Sequence, residues 1–212
     1  MPAMNPATET GKKRIIVLAS GRGSNFQAII DALATGEIPA VCVRLVTDNP
    51  GAYAIERAKK AGIPVTVADY GSFPSKKHYE DALLGILDGD NPDLVLLAGY
   101  MRIVGPEIVR RFHGRMINIH PALLPSFPGL HGPRQAIGYG VKVSGCTVHF
   151  VDEQMDSGPV IVQACVPVLP GDDEDSLAER ILAEEHRCFP RAVELFCTGR
   201  LHIRGRVVEI LD

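Results

Sequence analysis

The chain has 212 residues, of which 46% are hydrophobic and 22% charged, a composition typical of a globular protein that buries a core without disulfides or metal. A formal net charge of −3 argues against general binding to nucleic acid or to anionic membranes. No apolar stretch is long enough to span a bilayer. These features predict a cytoplasmic protein with no nucleic-acid partner and no membrane partner.

The first residues and the cysteines support that prediction. Residues 1–12 are rich in Ala, Thr and Pro and lack the apolar segment of a signal peptide, so we expect a flexible leader. The five cysteines are scattered and form no C-x-x-C motif, which predicts reduced, mostly buried thiols. A nucleophilic cysteine is the alternative. We expect residues 13–212 to form a single domain.

Strands and helices are predicted to alternate along the first half of the chain. Runs such as Ile15–Leu18 and Leu94–Leu97 are continuously apolar, as in buried parallel strands. The predicted order is a strand at 15–18, a helix from 26, a strand at 41–46, a helix at 52–61, a strand at 64–67, a helix at 75–88, a strand at 94–97, a short helix from 106 and a strand from 115. This alternation predicts an α/β fold with an open, twisted, mainly parallel sheet and helices on both faces.

The pattern changes after a proline-rich loop that follows residue 120. Predicted there are antiparallel strands at 145–151 and 159–168 joined by a polar loop, a long helix at 174–196, and a terminal hairpin within 201–210. Asp172 and Asp173 suit the positive end of that helix. The C-terminal third is therefore expected to add antiparallel strands to the parallel sheet.

A glycine-containing loop, Gly21-Arg22-Gly23-Ser24-Asn25, joins the first strand to the first helix. Its backbone N–H groups and the helix dipole favour an anion, and its glycines let a phosphate approach closely. It lacks the Gly-Lys-Ser/Thr of a nucleotide-triphosphate loop, and Phe26 stands where a dinucleotide fingerprint has its third glycine. Asp48, after the second strand, keeps a dinucleotide site open, and a turn with a helix cap is a further alternative. A single phosphate ester is the ligand that the loop predicts best.

Asn118 and His120 end a predicted strand just before Pro121, which cannot donate to a sheet ladder. Side chains two apart on a strand lie on the same face, so the amide and the imidazole should project together. Ligands of open α/β sheets bind at the carboxyl ends of strands, where the Gly23 loop also lies. The pair could polarise a carbonyl and move a proton; the alternative is two side chains that bond only local backbone.

An acidic turn, Asp152–Pro159, joins the two later strands. A carboxylate near an imidazole favours the protonated ring and could hold a water that relays protons. The alternative is a solvated acidic tip of a hairpin.

Other catalytic sites are not indicated by the sequence. There is no H-E-x-x-H, the seven histidines do not have metal-ligand spacing, and no G-x-S-x-G elbow is present, so neither zinc nor a serine nucleophile is expected. His131 is expected in a turn-rich loop, as a substrate contact or a surface residue. His149 is expected to pack on a strand face, and His186 to form an exposed helical pair with Glu185.

Four segments, taken in order, resemble the phosphoribosylglycinamide formyltransferase family. They are Ser20–Ile29, Ala98–Val104, Asn118–Pro125 with Phe127-Pro128-Gly129, and Thr147–Val160. The third segment alone would indicate only the wider group of formyl-tetrahydrofolate enzymes, but the likeness runs from about residue 14 to 210. It implies a Rossmann-like formyltransferase fold and transfer of a formyl group from 10-formyltetrahydrofolate to the amine of glycinamide ribonucleotide in purine biosynthesis, without a metal.

The resemblance also implies a role for each matching residue. The catalytic trio would be Asn118, His120 and Asp156. The ribonucleotide would contact Gly23, Ser24, Asn25, Pro121 and Glu185. The folate would contact Lys76, Met101, Arg102, Ile103, Val104, Asn118, Val151, Asp152 and Glu153. The implied partners are these two small-molecule substrates, in a monomer or a homodimer.

Two positions depart from the family pattern. Lys76 stands where some members carry an arginine near the folate tail, and the two cations are not interchangeable. Gly132-Pro133 follows His131 where many members have Thr-His, so the resemblance assigns no role to that loop.

Two related enzymes and one binding protein are the alternatives. A formyltetrahydrofolate hydrolase would use a similar trio but carry an added amino-terminal domain, whereas the first strand here starts near Arg14. A methionyl-tRNA formyltransferase would need an appended RNA-binding domain and a basic surface. A nucleotide- or folate-binding module without chemistry would tolerate the loss of His120.

Overall fold

The structure, a computed structural model, describes residues 11–212. Its strands are Lys13–Leu18 (β1), Ala40–Thr47 (β2), Val65–Val67 (β3), Leu94–Leu97 (β4), Met116–His120 (β5), Val143–Phe150 (β6), Val160–Pro167 (β7), Leu201–Arg204 (β8) and Val207–Ile210 (β9). Its helices are Ser24–Ala34 (α1), Ala54–Lys60 (α2), Lys76–Asp90 (α3), Pro106–Arg111 (α4), Gly132–Tyr139 (α5) and Glu174–Cys197 (α6), with a 3₁₀ turn at Tyr70–Ser72.

All the strands of the described residues join one sheet, in the order β3-β2-β1-β4-β5-β6-β7-β9-β8. Strands β1 to β5 pair in parallel, and β6 runs antiparallel to β5 and to β7. This confirms the predicted mainly parallel sheet with antiparallel C-terminal strands. The terminal hairpin is also confirmed, although β9 runs parallel to β7, paired at Val160 and Val207.

The core lies on both faces of the sheet because successive strand residues point to opposite sides. In β1, Ile15 and Val17 pack with α1, α2, α5 and α6, whereas Ile16 and Leu18 pack with α3 and α4. All four side chains are fully buried. The helices thus cover both faces, and the loops that follow β1, β4 and β5 meet at one edge of the sheet.

Helix α5 was not predicted, because Gly132 and Pro133 read as loop residues. A proline in the first turn loses no helical hydrogen bond, and His131 precedes the helix in a left-handed conformation, with φ of 60°. Of the predicted leader, residues 1–10 lie outside the described residues, and β1 begins at Lys13. No helix within residues 11–212 is long and apolar enough to cross a membrane.

The cysteines are all free thiols, as predicted. Only part of the burial prediction holds. Cys42 and Cys146 are buried, Cys188 and Cys197 are half-buried, and Cys165 is exposed on β7.

Candidate active site

The loop between β1 and α1 leaves the N-terminus of α1 open. Gly23 adopts a φ of 67°, and no side chain of the described residues caps the helix, whose first residues are Ser24 and Asn25. A Cβ on Gly23 would lie 2.8 Å from the Cβ of Ala54 at the start of α2. Both the left-handed backbone and this close approach require glycine here. The uncapped N–H groups are suited to an anion.

Behind this loop, Asn25 contacts Glu185 of α6. Asn25 Nδ2 donates to Glu185 Oε2 at 2.8 Å, while Asn25 Oδ1 is buried and has no hydrogen-bond partner among residues 11–212. Glu185 is 6% exposed, and burial raises its pKa above the ordinary value of 4.5. The expectation that Glu185 and His186 form an exposed pair is therefore wrong, because Glu185 lies on the face of α6 that packs against α1.

Asn118 and His120 project from the same face of β5, as predicted, while Ile117 and Ile119 pack on the opposite face. His120 is buried, and its Nε2 donates to the carbonyl of Phe127 at 2.9 Å. His120 Nδ1 is the nitrogen that faces the Asp156 carboxylate. Pro121 ends the strand at the half-buried rim of the cluster.

Asp156 turns inward from the acidic loop rather than into solvent. Its carboxylate Oδ2 lies 3.5 Å from His120 Nδ1 and accepts a hydrogen bond from the backbone of Gly129 at 2.7 Å. Asp156 has a φ of 50°, which is uncommon for a residue other than glycine. Asn118, His120 and Asp156 therefore lie close together, although Asp156 is far from the other two in sequence.

His149 is a further member of this cluster. It is 2% exposed on β6, where it pairs with Asn118 of β5, and its Nδ1 donates to the Phe150 carbonyl at 2.9 Å. Burial lowers its pKa below 6.5, so the ring is neutral near pH 7 and its Nε2 carries a lone pair.

Asn118 Nδ2 lies 3.2 Å from His149 Nε2 and donates to it. The distance of 3.8 Å between His149 Nε2 and Asp156 therefore marks no ion pair. The expectation that His149 only packs on a strand missed this contact. The sequence feature that could have revealed the contact is that His149 is a polar residue on a strand buried on both faces.

The predicted folate segment follows β4. Met101 and Ile103 are 61% and 65% exposed, and the backbone N–H of Met101 donates to Ser20 Oγ at 2.8 Å. Exposed apolar side chains at this edge of the sheet suit a flat organic ligand. Val104 is half-buried and packs against the α3 side of the sheet.

A cavity of about 270 Å³ lies beside this segment. Its lining is Tyr70, Lys76, Tyr79, Glu80, Met101, Arg102 and Ile103. Lys76 is exposed there and pairs with Glu80 at 3.4 Å. Two cations and two tyrosine rings thus share one small cavity.

Asp48 does not form the predicted alternative, a dinucleotide site. Its Oδ2 accepts a hydrogen bond from Arg102 Nε at 2.8 Å, and its side chain is 4% exposed. The carboxylate therefore cannot reach a ribose diol in solvent, as the acidic residue of a dinucleotide fold does.

Residues 151–153 follow β6 and begin the acidic loop, and their proposed contact with folate stays a prediction. The Val151 N–H donates to the Met116 carbonyl, which fixes the start of the acidic loop against β5. Asp152 accepts hydrogen bonds from Ser157 Oγ and Gln154 N. Glu153 is exposed and pairs with Arg110 at 3.3 Å.

His131 lies in the loop that precedes α5. It is exposed at the start of α5, and its Nδ1 lies 3.2 Å from Glu174 Oε1. His131 is thus a surface residue, and its contact with substrate stays a prediction. Across residues 11–212 there is no group of three or more His, Cys, Asp or Glu side chains arranged to hold a metal ion.

Comparison with known proteins gives consistent matches. The family model described as "Formyl transferase" matches residues 13–193. Phosphoribosylglycinamide formyltransferase of Escherichia coli K12 is 44% identical over 187 residues, which cover 88% of each chain. "Trifunctional purine biosynthetic protein adenosine-3" of Drosophila pseudoobscura pseudoobscura is 48% identical over 94% of this chain, but the chain spans only 14% of that longer protein.

Solved structures are similar over nearly the whole chain. Glycinamide ribonucleotide transformylase 1 from Symbiobacterium toebii superposes with a TM-score of 0.93 at 49% identity and 99% coverage of both chains. A formyltetrahydrofolate deformylase from Burkholderia mallei superposes with a TM-score of 0.86, but at 27% identity and over 71% of that chain. The transformylase is therefore more similar in both sequence and extent than the deformylase.

Proposed function

The chain belongs to the formyl transferase family, and we propose that it transfers a formyl group from 10-formyltetrahydrofolate to the amine of glycinamide ribonucleotide. The observation that carries this proposal is the convergence of Asn118, His120 and Asp156 at the carboxyl end of β5. His120 Nδ1 and Asp156 are 3.5 Å apart, close enough for a direct or water-bridged link. The products are formylglycinamide ribonucleotide and tetrahydrofolate. The reaction would belong to purine biosynthesis, which is named in the description of a relative.

The reaction begins when the substrate amine attacks the formyl carbon. The C=O electron pair moves onto oxygen, and Asn118 Nδ2–H and His120 Nδ1–H donate to that oxygen. A preorganised donor of this kind is worth about 10²–10³ in rate. Asn118 is suited to this role because one of its amide hydrogens is bound by His149 and the other is left for substrate.

Collapse of the tetrahedral intermediate restores the C=O bond and breaks the bond from carbon to N10. The amine loses one proton and N10 gains one, and we assign this relay to a water held by Asp156. General acid–base help of this kind contributes about 10²–10⁴. Holding both substrates together supplies much of the remaining acceleration.

The ribonucleotide phosphate is proposed to bind at the uncapped N-terminus of α1, on Gly23, Ser24 and Asn25. Glu185 would face the glycinamide end, with Pro121 between that end and His120. The unpartnered Oδ1 of Asn25 is an acceptor, so it supports a contact with an N–H or O–H group of the ribonucleotide and not with its phosphate, because buried polar atoms are rarely left without hydrogen bonds.

The folate is proposed to lie along residues 101–104, with its pterin ring near residues 151–153. Its acidic tail would enter the cavity beside Lys76 and Arg102, which offers two cations and two aromatic rings. We propose that the whole protein is a cytoplasmic enzyme, either a monomer or a homodimer, and that its partners are these two small molecules.

One assay tests the proposal against its rivals. Purified protein is mixed with 10-formyltetrahydrofolate, with and without glycinamide ribonucleotide, and tetrahydrofolate release is followed. Release only in the presence of the ribonucleotide supports the transferase. Release without the ribonucleotide indicates the hydrolase, and no release in either arm indicates a binding module. Either of the last two outcomes contradicts the proposed function.

A further inference from the structure

The Arg102 guanidinium is held on two sides. Its Nε donates to Asp48 Oδ2 at 2.8 Å, and its Cζ lies 4.0 Å from the centre of the Tyr70 ring. Asp48 follows β2, and Arg102 follows β4, so the contact joins two loops at the carboxyl edge of the sheet. An arginine with 43% of its side chain exposed is thereby restricted to one position.

The Asp48 carboxylate, which holds the Arg102 guanidinium, makes fewer hydrogen bonds within the fold than a buried carboxylate needs. Asp48 Oδ1 is buried and has no hydrogen-bond partner within the described residues. A buried ion pair often stabilises a protein no more than an apolar pair of similar size does. A buried polar atom without a hydrogen bond lowers the stability further. Stability alone is therefore a weak reason for an aspartate here, and a role in placing Arg102 is a stronger one.

The rest of the guanidinium is left available by this arrangement. Only Nε of Arg102 donates a hydrogen bond to any residue in the part of the chain that the structure describes. Both Nη groups therefore remain for a ligand at the cavity that Arg102 lines with Lys76 and Tyr70. An arginine fork matches the geometry of a carboxylate, which it binds through two parallel hydrogen bonds.

We propose that Asp48 is a positioning residue for the co-substrate: it fixes Arg102 so that its two Nη groups bind a carboxylate of the glutamyl tail of the folate. This inference rests on the proposed function, since it takes 10-formyltetrahydrofolate as the ligand. Lys76 is the weaker contact, because it is exposed on a flexible stem and already pairs with Glu80 at 3.4 Å. Recognition of the tail thus depends on a residue that does not touch it.

The test compares Asp48→Ala and Asp48→Asn with a control, Asp90→Ala. Asp90 forms another partly buried ion pair, with Arg44 of β2, and lies in no proposed site. Asp48→Ala should raise KM for 10-formyltetrahydrofolate about 10-fold, the equivalent of one charged hydrogen bond, with kcat and KM for the ribonucleotide unchanged. Asp48→Asn keeps an acceptor oxygen, so its increase should be smaller. Asp90→Ala should change neither KM.

A second co-substrate separates positioning from general damage. With the amide of 10-formyltetrahydropteroic acid, which has no carboxylate, Asp48→Ala and the unmodified protein should have the same KM. A difference that persists with this compound, or an equal rise in both KM values, overturns the proposal. Urea unfolding shows whether each variant is folded.

The comparison can also be made without turnover, by equilibrium binding of tetrahydrofolate and the amide of tetrahydropteroic acid. Failure of the proposed function would appear as the absence of ribonucleotide-dependent release in the unmodified protein. Failure of the present inference would appear as unchanged tail recognition in Asp48→Ala. The two results are therefore distinguishable.

Discussion

The hydrogen bond from Asn118 to His149 gives a quantitative prediction about turnover. His149→Leu removes the buried acceptor, which lies 3.2 Å from Asn118 Nδ2, and frees the amide to rotate. Leaving a buried polar group unpaired costs about 1–3 kcal/mol, which is about 5–150-fold in rate if the whole loss falls on the transition state. The full value of one oxyanion donor, about 10²–10³, sets an upper limit. We therefore expect kcat to fall about 10–100-fold.

The matched variant is His149→Gln, whose side-chain oxygen can replace Nε2 as an acceptor. It should retain most of the turnover that His149→Leu loses. The assay is tetrahydrofolate release with both substrates saturating, near pH 7. His186→Leu is the control, because burial lowers the pKa of this half-buried histidine also, yet it lies outside the cluster.

Two outcomes would refute this reasoning. If His149→Leu turns over at the rate of the unmodified protein, the orientation of Asn118 does not depend on His149. If His149→Gln loses as much as His149→Leu, the acceptor is not the relevant property of the ring. Unfolding in urea, measured on all three variants, separates either result from loss of the fold.

The remaining predictions concern the other parts of the site. Asp156→Asn should lower kcat by at least about 10²-fold, from the loss of general acid–base help, while ribonucleotide binding by calorimetry stays close to normal; equal losses in both would show that Asp156 only positions ligand. The pKa of Glu185 is raised, so its folded form keeps the proton longer than the unfolded chain, and its contribution to stability is complete below pH 4.5 and declines as pH rises through the folded pKa. Glu185→Gln should remove that decline, measured as urea unfolding free energies between pH 4.5 and 7, and a slope like that of the unmodified protein would contradict the assignment. Gly23→Ala should lower stability by about 1–3 kcal/mol, because its φ is 67° and its Cβ would meet Ala54 at 2.8 Å; an unchanged midpoint in thermal unfolding would count against it.

The strands and most helices were predictable because apolar periodicity records which face is buried. The run Leu94–Leu97 is buried on both sides and reads as a central strand, and α6 ends within one residue of its predicted end. The convergence of Asn118 and His120 followed from the two-residue repeat of a strand. Helix α5 could not be predicted in this way, because its first turn contains Gly132 and Pro133.

The contacts that set side-chain roles were less predictable, because they depend on packing between distant segments. His149 was expected to face the core, and it does, but the neutral ring accepts a hydrogen bond from Asn118 across the β5–β6 pair. Asp48 has the position of a ribose-binding acid, yet the loop after β4 brings Arg102 onto it. Local sequence indicates that such residues are unusual, and only the fold identifies their partners.

The hydrogen bond from His120 Nε2 to the Phe127 carbonyl has a consequence for inhibitor design. One edge of the imidazole is occupied by the protein's own backbone, so a drug-like molecule can engage only the Nδ1 edge. Because the Asp156 carboxylate also faces Nδ1, a compound that offers a neutral acceptor, such as a carbonyl oxygen, to that edge should bind better than one built to bridge both ring nitrogens.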